Sequence, residues 1–123
     1  MTTEIPQKLW ATFCEKLKEW HRGAVSIRRT GPDGTSREVV EDVPLRSVAL
    51  EHQDQCNDIV TIDAGRPEER PLHLEIIEPI RLVLRTNGES GRYKQLEILS
   101  ETGKTEVTFN PGIDPELLEK LAA

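Results

Sequence analysis

Between Ile5 and Gly23 the apolar residues Leu9, Trp10, Phe13, Cys14, Leu17 and Trp20 recur at steps of three and four, which predicts an amphipathic helix over 5–23. Pro6 suits its first turn, His21 and Arg22 suit its last, and Gly23 ends it. From Ala24 the period changes to two. Val25 and Ile27 alternate with Ser26 and Arg28, and Gly31 to Gly34 form a turn before Arg37 to Glu41 returns as the second arm of a hairpin. Asp42, Val43 and Pro44 are expected to interrupt pairing, because proline donates nothing to a ladder, and a third strand starts at Ser47 with Val48 and Leu50 inward. His52 to Asn57 reads as a loop, Asp58 to Ile62 as a strand, and Gly65 to Pro71 as a second break.

The clearest strand signals follow. Leu72, Leu74 and Ile76 alternate with His73 and Glu75; after Glu78 and Pro79, Ile80, Leu82 and Leu84 alternate with Arg81, Val83 and Arg85. Asn87 to Gly91 make a turn, Leu96 and Ile98 mark another strand, and Glu101, Thr102 and Gly103 lead tightly into Thr105, Val107 and Phe109. A short helical tail over 114–122 has Asp114 at its N-cap and Pro115 at its first position. The expected architecture is a single α+β domain over 1–123. Its N-terminal helix packs on an antiparallel β meander over 24–109, or a small barrel, of about seven or eight strands.

Composition narrows the partners. Sixteen Lys and Arg against twenty-two Asp and Glu give a net charge of -6, which repels phosphate backbones and anionic lipid. No apolar run reaches the roughly 20 residues of a membrane helix, and MTTEIPQKLW lacks a secretory pattern, so a cytoplasmic location is expected. Cys14 and Cys56 are expected to be reduced thiols, Cys14 as packing on the helix stripe.

Candidate chemistry is sparse. His52, Asp54 and Cys56 alternate in EHQDQCND and could face one side, but no CxxC or HExxH spacing supplies further ligands, so the segment reads as a solvated loop and no cofactor is expected. Cys56 with His52 is a weak candidate for a reactive thiol. The scattered carboxylates show no pairing, and GPDG and NGESG are turns rather than phosphate loops. Arg22, Arg28 and Arg29 form the one basic cluster, and Arg81 and Arg85 would share a sheet face; those strands lack stacking aromatics, so cross-strand ion pairs to Glu38 or Glu75 are expected for these arginines.

Taken together, IP followed by Trp10 and Phe13, His21 with Gly23, the VPL at Val43 to Leu45, Asp58 with Ile59 and Ile62, Gly65, the IEP before Ile80, and LEILSETGKTEVTF at 96–109 form an ordered set. In these the chain resembles a family of short, uncharacterised bacterial proteins catalogued as a domain of unknown function, over about residues 4–109. It departs from that pattern at Ala24, where relatives often carry an aromatic, and at Glu101-Thr102-Gly103, where they carry a DG turn. The resemblance implies a cytoplasmic bacterial protein and brings no catalytic residues.

The leading expectation is therefore a non-catalytic protein-interaction or self-associating module, with Leu9 and Trp10, or an exposed strand edge, as its interface. An alternative is a small-ligand site in a barrel mouth or under the helix, with His73, Arg81 and Tyr93 converging on it. A third is a nucleic-acid accessory.

Overall fold

In the computed structural model of the chain, which describes residues 2–20, 23–53, 57–66, 68–86, 92–101, 103–114 and 116, the first element is a strand rather than a helix. Strand β1, Thr2–Ile5, pairs antiparallel with Leu82 to Arg85. Pro6, extended at φ −58° and ψ 143°, ends it, because it can neither donate to the ladder nor continue the strand direction. A 3-10 turn, Gln7–Leu9, then leads into helix α1, Trp10–Trp20. The helix expected from residue 5 thus starts at Trp10; four residues with one buried position carry too little periodicity to announce a strand.

The remaining strands are β2 (Ala24–Thr30), β3 (Ser36–Gln53), β4 (Asn57–Ala64), β5 (Leu72–Ile77), β6 (Pro79–Thr86), β7 (Tyr93–Ser100) and β8 (Gly103–Ile113). All pairings are antiparallel, in the order β1-β6-β7-β8-β2-β3-β4-β5. Consecutive strands pair from β2 to β5 and from β6 to β8, as a meander requires, but β8 returns beside β2 and β1 beside β6. The sheet ends at β1 and β5 and does not close, so the barrel alternative fails. The meander expected to end at Phe109 also runs on, since β8 continues to Ile113. Of the helical tail expected over 114–122, the structure shows Asp114 accepting the Glu116 amide at 3.0 Å; residues 117–122 lie outside the described residues.

Two corners fold this sheet into two layers. Strand β3 does not stop at Asp42 to Pro44: up to Pro44 it pairs with β2, and from Leu45 onward it pairs with β4 on its other side. Pro44 is tolerated because it sits where partners change, and its carbonyl accepts the Gly65 amide at 2.9 Å. The second corner is Glu78 alone, between β5 on β4 and β6 on β7. Strands that switch sheets at bends are the corners by which one continuous sheet forms two packed layers. The larger layer holds β1, β6, β7, β8, β2 and the first half of β3; the smaller holds the second half of β3, β4 and β5.

One apolar cluster lies inside the fold. Phe13 and Leu17 of α1 meet Ile27, Leu82, Leu84, Ile98 and Phe109 of the larger layer and Val60, Ile62 and Ile76 of the smaller, all buried. Helix α1 packs on β3, and the Trp10 indole N–H donates to the Ile5 carbonyl at 2.8 Å, tying helix to β1. At the β7–β8 turn Gly103 has φ +137°, and a Cβ there would fall on the Thr30 carbonyl oxygen, so only glycine lets β8 close onto β2. Among the described residues no helix is long and apolar enough to cross a membrane.

Candidate functional site

Side chains at opposed positions of an antiparallel ladder share a face, and on the outer face of the smaller layer the register aligns Ser47, Asp63 and His73. Ser47 Oγ donates to Asp63 Oδ2 at 2.8 Å, Asp63 Oδ1 lies 2.6 Å from His73 Nδ1, and His73 Nε2 lies 3.3 Å from Glu75 Oε1. The hydrogen bond from His73 holds the Asp63 carboxyl below its usual range, while the bonds to Asp63 and then Glu75 raise the imidazole above its own. The order of groups decides the chemistry. A hydrolytic triad places imidazole between hydroxyl and carboxylate; here the carboxylate stands in the middle, and Ser47 donates to an Asp63 carboxylate whose proton affinity is held low. The set is a charged cross-strand ladder rather than a nucleophile.

An exposed apolar corner lies where β5 of the smaller layer turns into β6 of the larger. Ile77 is 53% exposed and Ile80 is 55% exposed, on either side of Glu78 and Pro79. Ile76 points into the core, so the strand's alternation drives Ile77 outward; Ile80 sits in the bulge between the Pro79 and Arg81 pairings. Among the described residues β4 is the one strand paired with β5, and the far side of β5 is an open edge.

The outer face of the larger layer is a lattice of opposite charges. Arg81 pairs with Glu4, Arg85 Nε lies 2.8 Å from Glu97 Oε1, and Lys104 Nζ lies 3.9 Å from the same oxygen and 2.9 Å from Glu106. Gln95 donates to Glu106 at 2.7 Å. Arg81 and Arg85 do share a face, as expected, but their partners are Glu4 and Glu97, because β6 pairs with β1 and β7; Glu38 stands opposite Arg28 in the β2–β3 register instead.

The pocket candidates meet different partners. His73 joins Asp63, Arg81 joins Glu4, and Tyr93, buried, shares a hydrogen bond of 2.8 Å with Thr3 Oγ1. A groove of about 680 Å³ beneath the start of α1 is lined by Pro6, Gln7, Lys8, Ala11, Leu50 and Asp58, and contains none of the three. Of the interface candidates, Trp10 is 3% exposed with its indole in the core, and Leu9 is half-buried against the same cluster. Burial pushes the Cys14 thiol up to about 12, as suits packing. Of the metal candidates, Asp54 and Cys56 lie outside the described residues, as does the His52 side chain; the His52 backbone pairs with Asp58.

Sequence reasoning missed Ser47, Asp63, Ile77 and Ile80. Ile77 was readable, since of two adjacent strand isoleucines one must face out. Asp63 was not, because its contact with His73 depends on the β4–β5 register.

No curated protein and no solved structure matches the chain. A family model does, over residues 1–113, which runs from the start of β1 to the end of β8 and is wider than the resemblance read from motifs. The chain belongs to that family, the family of unknown function DUF5335.

Proposed function

We propose that this protein is a non-catalytic interaction module that binds protein through the open edge of β5 and the apolar corner at Ile77 and Ile80. The observation that carries the reading is the exposure of these two isoleucines, at 53% and 55%, beside an edge strand that, among the described residues, pairs on one side alone. Two further features support the non-catalytic part. Ser47 is bonded to a carboxylate rather than to an imidazole, and the Cys14 thiol is buried and protonated at neutral pH.

The test compares the tagged wild-type chain with Ile77→Glu/Ile80→Glu in lysate of the cells that make it. The variant should keep its circular dichroism spectrum, because both side chains already face solvent. A polypeptide, whether another protein or an untagged copy, that is retained by the wild type and lost by the folded variant supports the reading; identical captures refute it.

A further inference from the structure

We infer that the partner of the β5 edge is a second copy of this chain, with the two β5 strands antiparallel about a two-fold axis through Leu74. This inference rests on the edge reading above. Its support is the self-complementarity of the strand. An antiparallel pair about Leu74 sets Leu72 opposite the partner's Ile76 and Leu74 opposite the partner's Leu74 on the inner face. On the outer face the same register sets Pro71 opposite the partner's Ile77 and His73 opposite the partner's Glu75. Apolar meets apolar, and the imidazole meets a carboxylate twice.

Neighbouring registers lack this match. Moving the axis to Glu75 places two carboxylates face to face, and moving it to His73 places two imidazoles face to face. Moving it to Ile76 sets Glu75 against the partner's Ile77 and Leu74 against the partner's Glu78. The register through Leu74 also covers Ile77 without desolvating an unpaired charge, and it extends the smaller layer continuously across two copies.

The pairing depends on pH through His73. The groups facing its imidazole are Asp63 from β4, with Ser47 and Arg46 of β3 acting on that carboxylate, and Glu75 on its own strand. The partner's Glu75 adds another negative charge beside the ring, so protonated His73 favours the dimer and association tightens as pH falls.

Analytical ultracentrifugation of the purified chain, up to about 1 mM and at about pH 6 and about pH 8.5, reads the association directly. The expected result is a dimer that is several-fold tighter at the lower pH. Glu75→Lys, which turns both attractive pairs repulsive at a solvent-exposed position, should weaken it by about tenfold or more. In a Cys56→Ser background, a mixture of Pro71→Cys and Ile77→Cys chains should form an intermolecular disulfide that neither chain forms alone. A monomer throughout, a dimer indifferent to Glu75→Lys or to pH, or a mixture that does not cross-link overturns the inference. A monomer that still captures another polypeptide through Ile77 and Ile80 leaves the interaction reading standing; loss of both results ends both.

Discussion

Asp42 and Glu78 adopt the same left-handed backbone conformation, φ +52° each, Asp42 in the bulge of the β2 pairing just before β3 changes partner after Pro44 and Glu78 at the corner between β5 and β6. The Asp42 amide donates to Ser26 Oγ at 3.0 Å, and the Glu78 amide donates to the Asp58 carbonyl at 2.9 Å. A neighbouring strand therefore holds each residue in a conformation that a residue with a Cβ reaches only at a cost.

That cost is measurable at Glu78, whose side chain is exposed. Glu78→Gly relieves the steric strain, although glycine also widens the unfolded ensemble and gives part of the gain back. Glu78→Val adds a β-branch to the same conformation. In urea denaturation Glu78→Val should be less stable than Glu78→Gly by about 1–2 kcal/mol. Equal midpoints would mean that the corner relaxes freely.

Phe13 is fully buried between α1 and both layers. Phe13→Ala removes a whole ring from a packed interior and should cost about 3–5 kcal/mol in the same experiment. A cost well under 1 kcal/mol would show that the helix stripe faces a partner and not the core.

The contrast between Phe13 and Asp42 explains what the sequence made legible. Phe13 belongs to a stripe of period 3.6, and Leu82 and Leu84 to a run of period two; these are local patterns that burial enforces. Asp42 sits in a bulge of the β2 pairing, β3 changes partner after Pro44, and Glu78 lies between segments paired to different strands, all relations set by residues far along the chain. An Asp-Val-Pro segment therefore reads as a break although β3 passes through it. The return of β8 beside β2 was hidden for the same reason. At the candidate site, the outward position of His73 and Glu75 followed from alternation, whereas the contact of His73 with Asp63 required the register.

Glu97 is buried on the outer face of the larger layer, with Arg85 at 2.8 Å and Lys104 farther off at 3.9 Å. Arg85→Met keeps much of the side-chain volume but leaves the carboxylate with the more distant cation. Breaking a fully buried pair costs about 3–5 kcal/mol, yet the Arg85 side chain is 48% exposed, so solvent screening reduces the expectation to about 1–2 kcal/mol. Denaturation of Arg85→Met and Arg85→Lys checks this. The lysine should recover part of the loss, and a methionine variant as stable as the wild type would show that Lys104 and solvent suffice.

The His73 and Asp63 pair has a defined pH window. His73 binds its proton more tightly folded than unfolded, so its contribution is complete below the unfolded value, near the ordinary 6.5, and is lost as pH rises through the higher folded value. Asp63 is shifted down, so its contribution is present above the ordinary 3.8 and is lost as pH falls through the lower folded value. The bridge is thus whole between those two ordinary values and weakens on the alkaline side first. An NMR titration of the His73 ring should give a midpoint above 6.5. Asp63→Asn should bring it down more than Glu75→Gln does, since the contact with Asp63 at 2.6 Å is shorter than that with Glu75 at 3.3 Å. If Asp63→Asn leaves the midpoint in place, Glu75 holds the proton, and the edge of β5, rather than the ladder behind it, sets the charge of this face.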